Sequence, residues 1–285
     1  MGNIWVTGAN GQLGNELRKL AGEDAHWHFT DLPELDICDT EACRAYLDQY
    51  HIRTIIHGAA YTAVDRAESD PETAFRINTQ ATLQLARLAA TAGATLVFVS
   101  TDYVFDGAND RPYLESDPCR PLSVYGKSKY EAEKGIRESG VSGIILRTAW
   151  LYSAYGNNFV KTMLRLSAER ESLQVVNDQT GTPTWAADLA GAIRQLLPQL
   201  ESGRFHGEIF HYTNEGSCSW YDLAAKTIAL AGGSCQVQPI PTSAYPTAAR
   251  RPAYSVLSKA KIRQTFGIEP PHWEASLTHF LKEFL

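Results

Sequence analysis

The stretch Ile4-Trp5-Val6-Thr7-Gly8-Ala9-Asn10-Gly11-Gln12-Leu13-Gly14 decides the fold of this 285-residue chain. Its first three residues form a short apolar strand, and the glycine-rich turn runs directly into a helical pattern that continues through Leu20. Glycine permits a tight turn and lets the backbone approach a ligand closely. The helix N-terminus then presents free N–H groups to a pyrophosphate. The context predicts a dinucleotide site at Gly8, Gly11 and Gly14, although a turn that merely needs glycine would look the same.

Apolar strands alternate with helical segments through the first half of the chain. Residues 54–57 are predicted to form a strand, and residues 96–99 and 144–146 are apolar runs of the kind that is buried in parallel sheets. The alternation predicts an α/β fold with a Rossmann-like doubly wound parallel sheet. We expect residues 1–150 to be mainly an NAD(P)-binding domain. Residues 151–285 lack the strict rhythm and are expected to form mainly a smaller C-terminal substrate-binding lobe, with some segments returning to the sheet.

The composition limits the classes of function. A hydrophobic content of 44% and a charged content of 20% are typical of a soluble globular protein. The net charge of −6 argues against nonspecific nucleic-acid binding, and no apolar run reaches the roughly 18 residues of a membrane span. The five scattered cysteines indicate neither a disulfide framework nor a zinc site. Since a strand pattern begins at Asn3, without a signal sequence, we expect a cytoplasmic protein.

An acidic residue follows the second predicted strand. Asp31 lies twenty residues after Gly11, where such folds place the carboxylate that binds the adenosine ribose. It would repel a 2′-phosphate and so favours NADH, but a plain loop acid fits the sequence equally well. By analogy with related folds, Asp36 and Ile37 flank the adenine. The small residues at 58–62 would let a cofactor lie against the backbone.

Candidate catalytic groups follow the strand at 96–99. Ligands bind at the carboxyl ends of strands in such sheets, which places Thr101 at the active edge; alternatively, its hydroxyl caps a turn. Tyr125 and Lys129 are four residues apart on a predicted helix, so both can point into one pocket. A phenol has a pKa of about 10, and a neighbouring ammonium would lower it. These groups predict hydride transfer to a ketone, with Tyr125 as proton donor and Lys129 on the nicotinamide ribose.

The combined motifs resemble the dTDP-4-dehydrorhamnose reductase family of the extended short-chain dehydrogenase/reductase superfamily. They are G-x-x-G-Q-x-G at 8–14, A-A-Y-T-A-V-D at 59–65, S-T-D-Y-V-F-D-G at 100–107, Y-G-K-S-K at 125–129, R-T-A-W at 147–150, N-D-Q-x-G-x-P-T at 177–184 and R-P at 251–252. The resemblance implies reduction of the 4-keto group of dTDP-4-dehydro-L-rhamnose to dTDP-L-rhamnose, a polysaccharide precursor, with NADPH or NADH.

The resemblance also implies roles for individual residues. Thr101, Tyr125 and Lys129 would be catalytic. The residues expected at the cofactor are Gly8, Gly11, Gln12, Leu13, Asp31, Asp36, Ile37, Ala60, Tyr61, Thr62, Val99, Tyr125 and Lys129. Those expected at the dTDP-sugar are Thr101, Asp102, Tyr103 and Trp150, together with Arg251, which could bind the diphosphate through two hydrogen bonds. Trp150 could instead be core filler, and Arg251 an ordinary surface arginine.

Several features stay open at this level. The polar segment 177–184 could serve the nucleotide or a contact within the lobe. Some relatives bind Mg²⁺ at a homodimer contact, and Glu16 matches one acidic position there. The sequence shows no complete ligand set, so the metal is left unassigned.

Two other functions compete with simple reduction. Dehydratases and epimerases of the superfamily use similar residues, but dehydratases carry an acid pair, and here Asp102 is followed by Tyr103 rather than by Glu. A noncatalytic NAD(P)-binding regulatory subunit, such as the beta subunit of methionine adenosyltransferase, resembles this family closely. The intact Thr101, Tyr125 and Lys129 favour an enzyme.

Overall fold

A parallel sheet forms the centre of the chain in a computed structural model that describes residues 2–200 and 203–285. The strands are β1 Asn3–Thr7, β2 Trp27–Thr30, β3 Ile52–His57, β4 Thr95–Thr101, β5 Gly143–Thr148, β6 Leu151–Tyr152, β7 Ser172–Val176, β8 Thr180–Gly181, β9 Thr184–Trp185, β10 His206–His211, β11 Cys218–Ser219 and β12 Gln236–Ile240. The helices are α1 Gln12–Ala21, α2 Thr40–Gln49, α3 Val64–Ala67, α4 Pro71–Phe75, α5 Thr82–Ala92, α6 Val124–Ser139, α7 Phe159–Glu169, α8 Ala186–Leu200, α9 Trp220–Leu230, α10 Ala260–Phe266 and α11 Trp273–Phe284.

The order of the strands confirms the predicted fold class. In the described chain the main sheet runs β2-β1-β3-β4-β5-β10, and each neighbouring pair is parallel. The order reverses beside β1, so a crevice opens there at the carboxyl ends of the strands. The glycine-rich turn leaves β1 at this point. Strand β10, from the second half of the chain, returns to the sheet beside β5.

Helices cover both faces of the sheet, which is why its strands are apolar without alternation. On one face, α1 and α8 contribute Leu17, Leu189 and Ile193 to a fully buried core. On the other face, α2, α5 and α6 bury Leu47, Leu85 and their neighbours. Two packed faces hold the strand ends rigidly, and the candidate site is built on those ends.

The second half of the chain contributes a smaller lobe with its own cores. Strands β7 and β12 pair in parallel, and α7 and α9 pack beside them around Met163 and Ile228. A second cluster joins Tyr152 and Trp185 to α11. A capping box between Ser219 and Asp222 stabilises the start of α9. The segment that follows β5 at the carboxyl edge of the main sheet leads into this lobe.

Candidate active site

A cavity of about 610 Å³ lies along the carboxyl ends of β1 to β5. The predicted cofactor residues that line it are Gly8, Gly11, Gln12, Leu13, Asp31, Asp36, Ile37, Ala60, Thr62, Val99, Tyr125 and Lys129. The predicted sugar-facing residues Thr101, Asp102, Tyr103 and Trp150 line it as well. Tyr61 and Arg251 are not among the described lining residues. The structure therefore brings most of the sequence-predicted site together in one space.

The glycines of the first turn let the turn, the start of α1 and the loop after β3 pack closely. Gly8 has φ +71°, and a Cβ added there would lie 2.6 Å from the Ala59 nitrogen. A Cβ on Gly14 would lie 2.6 Å from the Cα of Ala9. The N-cap of α1 is Gly11, which has no side-chain oxygen for the first N–H groups of the helix. Those donors are left for an anion, as a dinucleotide pyrophosphate requires.

Asp31 is held in place by backbone donors. Its Oδ2 accepts from the Asn10 N–H at 2.9 Å, and its Oδ1 accepts from the Leu32 N–H at 2.9 Å. The side chain thus ties the end of β2 to the glycine-rich turn, which is the role of a loop acid. A carboxylate keeps further lone pairs for ribose hydroxyls, so the ribose contact remains a prediction.

Asn78 organises the loop after β3, and the sequence reasoning assigned it no role. It lies in a π-helical segment, Arg76–Ala81, between α4 and α5, and its side chain is fully buried. Its Oδ1 accepts from the Tyr61 N–H at 2.7 Å, and its Nδ2 donates to the Tyr61 carbonyl at 3.2 Å and to Ser128 Oγ at 2.9 Å. Asn78 therefore fixes the backbone of Tyr61, and a contact between Tyr61 and the cofactor remains a prediction. An asparagine within a predicted helix was the only sequence feature that could have indicated this role. The π-helical turn that directs the Asn78 side chain toward Tyr61 has no recognisable sequence pattern.

Thr101 combines the two roles that the sequence left open. Its Oγ1 accepts from the Tyr103 N–H at 3.2 Å and so caps the 3₁₀ turn Asp102–Val104. The same hydroxyl donates to Asp102 Oδ1 at 3.1 Å while it lines the cavity. Burial raises the pKa of Asp102 to about 6. The Thr101 proton already points to an oxygen acceptor and can turn to a ketone.

Tyr125 and Lys129 reach the cavity from α6, as predicted, but their electrostatics differ from the prediction. Lys129 is 2% exposed, and its Nζ donates to the Val99 carbonyl at 2.8 Å. Burial lowers the pKa of Lys129 to about 7. Burial also raises the pKa of Tyr125 to about 12, with a smaller opposing effect of the Thr101 hydroxyl. The prediction that Lys129 lowers the pKa of Tyr125 is wrong for this structure, because desolvation dominates and the ammonium is bonded to Val99.

Two predicted substrate residues differ in placement. Trp150 lines the cavity and stacks on Trp220 with ring centroids 3.5 Å apart. The Arg251 guanidinium instead donates to Asp65, at 3.1 Å to Oδ1 and 2.6 Å to Oδ2. Contact between Arg251 and a diphosphate remains a prediction. It requires the ion pair with Asp65 to break, or the Arg251 N–H groups to donate to Asp65 and to the diphosphate at the same time.

Glu16 does not form a metal site within one chain. It is 6% exposed, and burial raises its pKa. In the part of the chain that the structure describes, no group of three or more His, Cys, Asp or Glu side chains is placed to hold a metal ion. The described helices also include none that is long and apolar enough to cross a membrane.

Comparisons with known proteins agree with this geometry. A family model described as the RmlD substrate binding domain matches residues 2–285. The dTDP-4-dehydrorhamnose reductase of Aggregatibacter actinomycetemcomitans is 40% identical over 97% of each chain. That of Escherichia coli (strain K12) is 37% identical over 99% of this chain and 97% of its own.

Solved structures give the same result. The dTDP-4-dehydrorhamnose reductase of Bacillus anthracis str. Ames, in complex with NADP, is 38% identical and superposes with a TM-score of 0.94 over 99% of this chain and 100% of its own. A dTDP-glucose 4,6-dehydratase from Streptomyces venezuelae shares the fold at 21% identity, with a TM-score of 0.82 over 98% of this chain and 96% of its own. The chain therefore belongs to the dTDP-4-dehydrorhamnose reductase family.

Proposed function

We propose that this chain reduces the 4-keto group of dTDP-4-dehydro-L-rhamnose to dTDP-L-rhamnose with NADPH or NADH, in the synthesis of a cell-surface polysaccharide precursor. The observation that carries the proposal is the convergence of Thr101, Tyr125 and Lys129 in one cavity with the glycine-rich turn. Relatives at 40% and 37% identity are reductases of this name, and a relative at 38% identity is in complex with NADP.

Residues that line the cavity would each have a separate role in this reduction. Bound NAD(P)H would supply the hydride, and the turn around Gly8 and Gly11 would hold its diphosphate. The Thr101 hydroxyl would donate to the ketone oxygen. Tyr125 would give that oxygen a proton, and its raised pKa of about 12 keeps the phenol protonated at neutral pH. Lys129, anchored on the Val99 carbonyl, has further N–H donors for a ribose hydroxyl.

The geometry disfavours a dehydratase. Elimination of water would require a second acid beside Asp102, and the adjacent position is occupied by Tyr103. Its ring meets the Tyr125 ring edge to face, with centroids 5.6 Å apart and planes at 77°. Burial raises the pKa of Tyr103 still further from neutrality. A phenol in that state is a poor substitute for a carboxylate base.

A turnover assay tests the proposal against the noncatalytic alternative. Purified protein is mixed with dTDP-4-dehydro-L-rhamnose and, in separate samples, NADH or NADPH, and the absorbance of the reduced nicotinamide is followed. A reductase consumes one or both cofactors in proportion to the sugar nucleotide. Binding of cofactor without consumption of either one would favour the regulatory-subunit function and would defeat the proposal.

The same proposal assigns roles to the two halves of the chain. Residues 1–150 would mainly bind the cofactor, and residues 151–285 would mainly bind the substrate. Strand β10, from the second half, pairs with β5 in the main sheet, which supports the expectation that some segments of the lobe return to that sheet. A cytoplasmic location is part of this proposal. It is supported by the cysteines, which are all free in the described chain, since reducing compartments keep thiols unpaired.

The proposal also includes a homodimer. Sedimentation of the purified protein with and without Mg²⁺ would test this oligomeric state.

A further inference from the structure

The Trp150 indole is held in an unusual arrangement at the lobe side of the cavity. Its backbone has φ +48°, a left-handed conformation that residues other than glycine rarely adopt. Its ring lies parallel to that of Trp220, with an interplanar angle of 9° and centroids 3.5 Å apart. Such a conformation persists only when its surroundings hold it in place. The groups that surround Trp150 therefore fix the position of its ring.

Trp220 is itself anchored by the polar segment 177–184. Its Nε1 donates to Gln179 Oε1 at 3.2 Å, and Gln179 Nε2 donates to Thr242 Oγ1 at 3.0 Å. Gln179 is 6% exposed, so these bonds are shielded from water. The Phe159 ring packs against Trp220 with centroids 4.7 Å apart. The Trp220 indole can neither rotate nor shift without breaking these contacts.

Gly181, in the same segment, leaves the space that the Trp150 ring occupies. A Cβ added at Gly181 would lie 2.5 Å from Cε2 and 2.8 Å from Nε1 of Trp150. Real Cβ atoms do not approach other atoms so closely. The Thr184 N–H also donates to the Trp150 carbonyl at 3.1 Å. The segment thus contacts Trp150 through its backbone and reaches it indirectly through Trp220.

We infer that Gln179, Gly181 and Trp220 are positioning residues that set the plane of the Trp150 indole, and that this plane determines how the hexose ring lies in the cavity. None of the three is among the described residues that line the cavity, so they act through Trp150. Segment 177–184 would then shape the part of the cavity that faces the sugar, rather than bind the nucleotide. It rests on the proposed function, because the hexose is the substrate proposed above.

A pair of glycine variants tests the inference. Gly181→Ala forces Trp150 to move, and we expect kcat/KM for the ketosugar to fall by about 10- to 100-fold, the scale of a small misplacement of substrate. The Kd for NADH should stay within about twofold, since Gly181 is not among the described residues that line the cavity. Gly191→Ala is the matched control, because a Cβ there meets no atom within 4 Å, and it should leave both constants unchanged.

Trp220 variants separate stacking from folding. Trp220→Leu should remove the circular-dichroism signal of the coupled indoles and lower kcat/KM as Gly181→Ala does, whereas Trp220→Phe, which still stacks, should recover part of kcat/KM. Trp273→Phe alters a buried lobe tryptophan outside the stack; it should lower Tm without lowering kcat/KM. Parental kcat/KM in both Gly181→Ala and Trp220→Leu would overturn the inference.

Failure of the proposed function would be recognised separately. If the parent consumes neither NADH nor NADPH, the reductase proposal fails, and calorimetric titration with dTDP-L-rhamnose then decides the positioning role. Weaker binding by Gly181→Ala than by Gly191→Ala supports it. Equal binding, or no binding to the parent, overturns it.

Discussion

The Arg147 guanidinium and the Glu133 carboxylate form a buried two-point ion pair, at 2.9 Å through Nε and 2.6 Å through Nη2. Both side chains are 1% exposed. Glu133 also accepts from Ser100 Oγ at 2.5 Å. Glu133 lies one turn beyond Lys129 on α6, and Ser100 precedes Thr101 on β4. Arg147 lies on β5, so the ion pair joins α6 to β5, and the Ser100 hydrogen bond joins α6 to β4, which carries the Thr101 hydroxyl.

Breaking this pair should be costly. Glu133→Gln leaves a buried guanidinium without its counter-charge, and we expect the free energy of unfolding to fall by about 3–5 kcal/mol in urea titrations. Glu169→Gln is the control, because its pair with Arg165 is exposed on α7 and should change stability by less than about 0.5 kcal/mol. Similar losses in the two variants would contradict a structural role for the buried pair.

Tyr125→Phe should separate proton transfer from binding. Removing the phenol hydroxyl should lower kcat by about 10²–10⁴-fold, the usual contribution of a general acid. The ring remains, so the Kd for NADH measured by fluorescence should change little. Tyr130→Phe, on the same helix but outside the active cavity, should keep the parental kcat. A Tyr125→Phe enzyme at the parental rate would refute the proton-donor role.

Lys129 should leave a signature in the pH dependence of stability. Its pKa is lowered to about 7 in the folded chain but is about 10.4 when unfolded. Between these values the unfolded state binds more protons, so the contribution of this site to stability rises with pH, by at most about 1.4 kcal/mol per unit. Unfolding free energies measured from about pH 6.5 to about pH 9 should therefore rise more steeply with pH in the parent than in Lys129→Met.

The control for this titration is Lys127→Met, which removes an exposed lysine from the same helix. Its stability should follow the parental curve across the pH range. If the stability of Lys129→Met also changes with pH in parallel with that of the parent, the Lys129 amine is charged in both the folded and the unfolded state. The lowered pKa of Lys129 would then be wrong.

Asp31 should govern the choice of cofactor. Asp31→Ala removes a carboxylate that would bind the ribose and repel a 2′-phosphate, so the affinity for NADH should fall by about 10–100-fold, as expected for hydrogen bonds to a charged group. The bond to Asn10 is lost for both cofactors, so the informative quantity is the ratio of the two Kd values, which should shift toward NADPH. Asp48→Ala, an exposed acid on α2, should leave the ratio unchanged. A parent that already prefers NADPH strongly would contradict the ribose contact.

The sequence by itself determined the fold and the core of the candidate site. Apolar runs without alternation require strands covered on both faces, and a glycine turn between strand and helix has few structural solutions. The spacing of Tyr125 and Lys129 placed both on one helix face, because positions four apart lie one turn apart. These are local rules, which depend on neighbours within a few residues.

Only the tertiary structure decided which groups became partners and what charge they carry. Asn78 meets Tyr61 across 17 positions, and Arg251 meets Asp65 across 186. Neither contact has a periodicity that a single sequence displays. The pKa of Tyr125 was predicted in the wrong direction for the same reason. Desolvation depends on everything packed around a group, and that surrounding is assembled from distant parts of the chain only when it folds.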